Sequence, residues 1–97
     1  DQSYRLDILI KDESEWVRAA VATEGYGLNI LLNDESEWVR AAVAAREYRL
    51  DILIKDESQW VRSVVARKGY RLDILLNDDN EYVRKIAQEE LDKLNKN

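Results

Sequence analysis

The sequence repeats itself every 22 residues. Each repeat opens on a tyrosine and carries a second aromatic residue twelve positions later, which gives Tyr4, Tyr26, Tyr48 and Tyr70, then Trp16, Trp38, Trp60 and Tyr82. Residues 4–14 and 48–58 both read YRLDILIKDES, and residues 12–22 and 34–44 both read DESEWVRAAVA. A fixed period of roughly 20–50 residues is typical of repeats that stack on one another. We therefore expect one repeat domain over residues 1–97, with repeats 4–25, 26–47, 48–69 and 70–91 and a C-terminal capping helix to about residue 95.

Composition narrows the classes of function. The net charge of −5 comes from 20 acidic and 15 basic residues, which argues against a nucleic-acid or anionic-membrane surface and suits a basic partner. Cysteine and histidine are both absent, so the usual thiolate metal ligands and the commonest general base are missing. No apolar run reaches the roughly 18 residues of a membrane span, and no signal peptide is visible. We expect a cytoplasmic or otherwise soluble protein without enzymatic activity or a cofactor.

The second half of each repeat has the pattern of an amphipathic helix. In the first repeat Val17, Ala20 and Val21 form an apolar i, i+3, i+4 set. An aspartate stands three residues before Glu or Gln in every repeat, which is the capping-box spacing and predicts these aspartates as N-caps: Asp12, Asp34, Asp56 and Asp78. Gly25 and Gly69 indicate where the first and third such helices end.

The first half of each repeat is compatible with a helix or a strand. Leu6, Leu9 and Ile10 make a helical apolar set, whereas the segment also alternates as a strand would, with Arg5 and Asp7 between Tyr4, Leu6, Ile8 and Ile10. A strand followed by a helix would make an α/β leucine-rich horseshoe, but Lys11 stands where that motif needs its third leucine. We favour an all-α fold, an α-solenoid of four two-helix repeats in which the first helix has about two turns.

Residues 11–22, KDESEWVRAAVA, resemble the second helix of HEAT-like repeats, and the 22-residue unit with its Tyr-x-Leu-Asp start is similar to the leucine-rich repeat variant (LRV) family of helical repeats. The resemblance covers residues 4–87 and implies that an Asp and an Arg from neighbouring repeats form a hydrogen-bonded ladder. The residues at these positions are Asp12, Arg18, Asp34, Arg40, Asp56, Arg62, Asp78 and Arg84. An alternative role for the repeated arginines is ligand binding.

The row Trp16, Trp38, Trp60 and Tyr82 has two interpretations. The rings either pack partly buried over small residues of the next helix, or stand in an open row that binds a partner protein or peptide, because Trp and Tyr are enriched at binding hot spots. Neighbouring repeats at roughly 10 Å would keep the rings too far apart for direct contact. The acidic DESE segments lack the ligand spacing of a calcium loop, so we expect helix capping there and no metal site.

Positions that vary between repeats are expected to be open surface. One set comprises Ala19, Ala41, Ser63 and Lys85, and another lies near the helix ends at Thr23, Glu24, Ala45, Arg46, Arg67 and Lys68. We attribute this variation to solvent-exposed positions that tolerate many residues. The alternative is that these residues form a surface that determines which partner binds.

The two ends of the array differ. The fourth repeat continues as QEELDKLNKN, with Val83, Ile86, Ala87, Leu91 and Leu94 in one stripe, which predicts a C-terminal capping helix. The first repeat has no such cap, so its outward face should expose Leu, Ile and Val, and either upstream repeats or a second chain would cover it. From these patterns we expect a protein-interaction or scaffold module that forms homo-oligomers through the N-terminal face, or a designed or consensus scaffold without a natural ligand.

Overall fold

The computed structural model describes residues 2–96, with side chains from Arg5 onward, and its regular structure in that range is helical. Eight helices follow one another between residues 2 and 96: α1 (Gln2–Leu9), α2 (Glu15–Thr23), α3 (Leu28–Leu31), α4 (Glu37–Ala45), α5 (Leu50–Leu53), α6 (Gln59–Arg67), α7 (Leu72–Leu75) and α8 (Glu81–Leu94). This part of the chain contains no strand, so the all-α class is confirmed and the α/β horseshoe is excluded.

The first helix of a repeat is shorter than predicted in three repeats. α1 has eight residues, the two turns that the sequence predicts, but α3, α5 and α7 have four residues each. The residues that precede these three helices are Gly27, Arg49 and Arg71, and all three have positive φ. A left-handed residue cannot continue a right-handed helix, so it sets the N-terminal limit of each short helix.

The N-caps of the long helices are not the predicted aspartates. Ser14, Ser36, Ser58 and Asn80 hold the N-cap positions, and each has an extended backbone and a side-chain oxygen that accepts a hydrogen bond from a backbone N–H of the first turn. The aspartate two residues earlier accepts instead from the backbone N–H of the cap, as Asp34 does from Ser36 at 2.9 Å. In the sequence DES, both the aspartate and the serine accept a hydrogen bond from a backbone N–H. The prediction from the capping-box spacing was therefore wrong: the serine is the N-cap, and the aspartate caps the turn before it.

The predicted helix ends are confirmed. Gly25 and Gly69 follow the caps of α2 and α6 with φ of +80° and +75°, in the left-handed region that glycine enters without a steric penalty. Glu47 takes the equivalent place in the second repeat and also has a positive φ, of 59°. At the first of these ends the Tyr26 N–H donates to the Val21 carbonyl, which completes a Schellman-type C-cap.

The chain divides into two compact halves, with the boundary between Arg49 and Leu50. In the N-terminal half, α2 packs along α4, while α1 packs on α2 and α3 on α4. In the C-terminal half, α6 packs along α8 in the same manner, and α5 and α7 pack on α6 and α8. Each half therefore contains two repeats, with the long helices side by side and each short helix packed on the long helix that follows it.

Small side chains let the long helices approach closely. Ala22 of α2 is fully buried, and so are Val39 and Val43 of α4. In the other half, Val65 and Ala66 of α6 and Val83 of α8 are buried in the same way. Alanine adds little side-chain bulk at a helix contact, so the valines of the neighbouring helix can pack against the backbone.

One set of variable positions is not open surface. Ala41 and Ser63 are buried, Ala19 is half-buried and only Lys85 is exposed. The Ser63 hydroxyl satisfies its hydrogen-bonding capacity by donating to the Trp60 carbonyl at 2.7 Å. The first three repeats therefore have only alanine or serine at this position, and the last repeat has the exposed Lys85. The second set, near the helix ends, is exposed as predicted.

α8 continues beyond the length of the other long helices to Leu94, as predicted. Val83, Ile86 and Ala87 are buried on one side of it, Leu91 is half-buried and Leu94 is exposed. Among residues 2–96, no helix combines the length and the apolar character that crossing a membrane requires.

Candidate functional site

An arginine and an aspartate from successive repeats meet in the N-terminal half. Arg18 Nε donates to Asp34 Oδ2 at 2.9 Å, and Arg18 Nη2 donates to Asp34 Oδ1 at 3.1 Å. Arg18 Nη1 turns back and donates to the Asp12 carbonyl at 2.8 Å. The two side chains are only 12% and 10% exposed, so this bidentate ion pair lies in a largely desolvated environment.

The same arrangement recurs in the C-terminal half. Arg62 Nε and Nη2 donate to the two carboxylate oxygens of Asp78 at 2.9 and 3.1 Å, and Nη1 donates to the Asp56 carbonyl at 2.7 Å. Arg40 and Arg84 make the corresponding local contact, in which Nη1 donates to the carbonyls of Asp34 and Asp78 respectively. Each described pair links one repeat to the next within its half.

Burial and hydrogen bonds act in opposite directions on these carboxyl groups. Partial burial acts to raise the pKa of Asp34, but the hydrogen bonds from Arg18 and from the Ser36 N–H lower it, and its pKa lies below the usual value. The pKa of Asp78 is lowered against burial in the same way, by Arg62 and the Asn80 N–H. Both groups are therefore carboxylates at neutral pH and are occupied by structural partners, which leaves them unsuited to acid–base chemistry.

A second polar link joins the starts of neighbouring long helices, and sequence reasoning missed it. The Ser36 hydroxyl donates to the Glu15 carboxylate in the N-terminal half, and the Asn80 amide donates to the Gln59 side-chain oxygen in the C-terminal half. The two residues of each pair are 21 positions apart in the sequence, one fewer than the repeat length. A search for polar residues at that spacing would have found both pairs. The cap residue of one helix therefore also holds the first turn of the helix before it.

The aromatic row is exposed in every repeat. Each ring belongs to the second residue of a long helix, and the exposed fractions are 64% for Trp16, 44% for Trp38, 39% for Trp60 and 42% for Tyr82. Large aromatic side chains are usually more buried than this in small domains. The structure therefore places these rings on the surface, with part of each ring against the protein.

Trp16 and Trp38 touch, contrary to the expectation from helix spacing. Their ring centroids lie 5.7 Å apart, with an angle of 37° between the planes. The expectation took the separation of helix backbones as the separation of the rings, but long side chains at helix starts can lean toward each other. The contact gives a continuous aromatic surface across two repeats that is still open to solvent.

Acidic side chains lie at the starts of the same two helices, α2 and α4. Glu13, Glu15 and Glu35 line a polar depression of about 340 Å³ together with Arg18 and Ser36, at the starts of α2 and α4. The Glu35 side chain is 92% exposed and its carboxylate stays 4.0 Å from Arg18, at the limit of an ion pair. Within residues 2–96 no group of three or more acidic side chains has the geometry of a metal site. The depression thus adds negative charge at the starts of α2 and α4, the helices that carry Trp16 and Trp38.

A second exposed apolar row was not anticipated from the sequence. Ile8, Ile30, Ile52 and Ile74 occupy the same place in the four short helices, and all four are exposed. In the sequence, Ile8 belongs only to the strand-like alternation, beside Leu6 and Ile10. The helical i, i+3, i+4 spacing could have predicted that Ile8 is exposed, because Ile8 does not belong to the apolar set of Leu6, Leu9 and Ile10.

No protein-family model, no curated protein and no solved structure matches this chain. The similarity to HEAT-like and LRV repeats therefore stays a prediction that rests on the Asp and Val-Arg positions.

Proposed function

We propose that this protein is a non-catalytic interaction module, a HEAT-like or LRV-like α-solenoid of four repeats whose aromatic row binds a partner protein or peptide. The observation that carries the proposal is the exposure of Trp16, Trp38, Trp60 and Tyr82 in all four repeats. A ring that served only to fill the core would be covered, whereas rings of this size on a surface are the usual anchors of protein interfaces.

Two further features support a binding role over catalysis. The partly buried Asp–Arg pairs use the recurring charged residues as links between repeats, so these residues are not free for chemistry. The same Arg–Asp arrangement occurs in both halves, whereas a catalytic pair is expected to occur once in a protein. A surface that repeats every 22 residues suits an extended partner that makes the same contact several times.

The charge beside the row favours a basic partner. Glu13, Glu15 and Glu35 lie at the same helix starts as the rings of Trp16 and Trp38. A lysine or arginine side chain on the partner would gain a cation–π contact with a ring and an ion pair with a neighbouring carboxylate. The proposed partner is therefore an extended peptide segment that carries several Lys or Arg residues, and nucleic acid and membrane are not proposed as partners.

The test measures binding of a lysine- and arginine-containing peptide of about twelve residues, which spans about 40 Å when extended. Titration calorimetry should give saturable binding that weakens with added salt, since exposed charges are screened. Replacing Trp16, Trp38 and Trp60 by Gln should weaken binding by at least about tenfold, a loss typical of hot-spot residues.

A matched control is available on the short helices. Replacing Ile8, Ile30 and Ile52 by Gln also removes three exposed apolar side chains, but not from the aromatic row, and binding should stay unchanged. Equal losses in both triple variants, or equal binding of a peptide with Glu in place of Lys and Arg, would contradict the proposal. If no peptide or protein binds while both variants fold, the alternative of a designed or consensus scaffold without a natural ligand gains support.

A further inference from the structure

The N-terminal half has an apolar groove between α1 and α2. It measures about 320 Å³, and its walls are formed by Leu6, Leu9, Trp16, Val17 and Ala20. Glu24, at the end of α2, is the charged residue on its rim. The groove is an open surface, and its lining is almost entirely hydrocarbon.

The equivalent residues of later repeats show that this surface is built to be covered. Leu9 and Val17 are half-buried, whereas their counterparts Leu31 and Val39 in the second repeat are fully buried. Leu75 and Val83 of the fourth repeat are fully buried too. The same side chains thus form a helix contact in later repeats and a solvent-exposed face in the first, and burying apolar surface of this kind stabilises an association.

The other end of the chain does not supply the matching surface. Within the halves, α2 and α6 contribute small side chains to their contacts with α4 and α8, and Ala22, Ser63 and Ala66 are buried there. At the positions of Ser63 and Ala66, α8 has Lys85 and Gln88, and both are exposed. Covering them with this groove would strip water from a charge and an amide, and among the groove's lining residues only Glu24 on the rim carries a charged side chain that could pair with them.

From this asymmetry we infer that the groove is covered by the same groove of a second copy of the chain, in a closed two-fold dimer. Head-to-tail stacking would place the groove against Lys85 and Gln88, whereas the two-fold arrangement joins two apolar faces. Small Ala20 leaves space between α1 and α2, and leucine side chains on the same face are of the size to fill it. The pairing would also cover part of Trp16, the most exposed ring of the row.

The dimer should be weak. The face is formed by only α1 and α2, so the area it can bury should fall below the roughly 800 Å² per partner of a standard interface. We therefore expect association in the micromolar range or weaker, so that monomer and dimer coexist as concentration changes. The inference can be tested apart from the peptide-binding function, because Ala20 lies outside the aromatic row, although Trp16 belongs to both surfaces.

The experiment is sedimentation equilibrium of the 97-residue chain over about a hundredfold range of concentration. The mass should rise from 11.4 kDa toward twice that value and no further. Ala20→Glu should keep the chain monomeric at all concentrations, because Ala20 is exposed in the monomer and two carboxylates would face each other in the dimer. Ala45→Glu is the matched control, since Ala45 is an exposed helical alanine outside the groove, and it should dimerise like the unmodified chain.

Three outcomes would overturn the inference: a mass of 11.4 kDa at the highest concentration, equal effects of Ala20→Glu and Ala45→Glu, or growth beyond a dimer. Lys85→Ala separates the two geometries further, because it should leave a two-fold dimer unchanged and should strengthen head-to-tail stacking. Circular dichroism of each variant checks that the helices are intact. In a Trp38→Phe, Trp60→Phe chain, the emission of Trp16 should shift to the red on dilution, and an emission that is independent of concentration would speak against burial of this face.

Discussion

At the scale of single residues, burial determines how much an ion pair contributes. Arg18 with Asp34 and Arg71 with Asp73 are both bidentate, with nearly the same distances. The first pair is 12% and 10% exposed and joins two repeats, whereas the second is 54% and 67% exposed and lies within one turn. Water screens the exposed pair, so it adds little to stability. Removing one partner of the mostly covered pair leaves the other charge unmatched in a site with little water.

This difference predicts unequal effects of a conservative substitution. Arg18→Lys should lower the free energy of unfolding by about 1–3 kcal/mol, because an ammonium group cannot hold both oxygens of Asp34 and the Asp12 carbonyl together. Arg71→Lys, the matched control, should leave it almost unchanged, because water screens this exposed pair. Urea unfolding followed by circular dichroism measures both, and losses of equal size would show that burial does not separate the two pairs.

At the scale of secondary-structure elements, the side chain that stands immediately before each long helix controls its start. Asn80 Oδ1 accepts the Val83 N–H at 3.1 Å, and its amide donates to Gln59 of the preceding long helix. The cap therefore does two things: it satisfies a free N–H of α8, and it links α8 to α6. The serines of the earlier repeats hold the same position, with Ser36 linked to Glu15 in the N-terminal half.

Removal of this cap should be measurable. Asn80→Ala should destabilise the chain by about 1 kcal/mol, because the first turn of α8 loses its acceptor. Asn80→Ser restores the residue type of the other repeats and should recover most of that loss. Asn77→Ala is the control, since Asn77 is exposed and makes only a 3.3 Å contact with the Asp73 carbonyl. Thermal or urea unfolding that gave the same loss for Asn77→Ala and Asn80→Ala would contradict the role of Asn80 as the cap.

At the scale of the whole molecule, the two halves are built alike. In each half a long helix of nine residues packs along the next long helix, and a partly buried Arg–Asp pair links the two repeats. A chain assembled from equivalent repeats has a stability that is close to a sum over repeats and their nearest-neighbour contacts. The proposed solenoid therefore makes a prediction about removing one complete period.

Deleting residues 26–47 would join Gly25 to Tyr48 and keep the period. The shortened chain should fold with unchanged helicity per residue and lose roughly 1–3 kcal/mol of stability, the share of 22 residues in a typical domain. Deleting residues 26–36 removes half a period, which sets every later core position out of register, and this control should lose cooperative unfolding. If both deletions unfold the chain, or if both are tolerated, the solenoid proposal is wrong.

Sequence reasoning succeeded where a local pattern has one physical cause. The 3.6-residue spacing of Val17, Ala20 and Val21 predicted the long helix, and the glycines at 25 and 69 predicted its ends because they adopt positive φ. The continuation of α8 followed from the loss of glycine and the persistence of its apolar stripe. These features depend on neighbours in the chain, so the chain alone was enough to predict them.

Reasoning from sequence failed where two local solutions compete or where contacts between repeats decide. Asp12 and Ser14 are both residue types that occur at N-caps, and Ser14 is the N-cap in the structure. The aspartates accept hydrogen bonds elsewhere: Asp12 from the Ser14 N–H, and Asp34 from Arg18 of the preceding repeat. Ala41 and Ser63 looked like free variation but are buried. The contact of Trp16 with Trp38 depends on how two side chains lean, which no spacing rule describes.

The sequence by itself determined the 22-residue period, the positions of the long helices and the continuation of α8, because hydrophobic periodicity and helix-ending residues act over a few positions of the chain. Tertiary structure decided which carboxylates pair with which arginines, which serine caps which helix, and which rings remain open. It also decided that Leu9 and Val17 line an open groove while Leu31 and Val39 are fully buried. The physical reason is that identical side chains differ in exposure according to what packs over them, and that is a property of the folded neighbourhood.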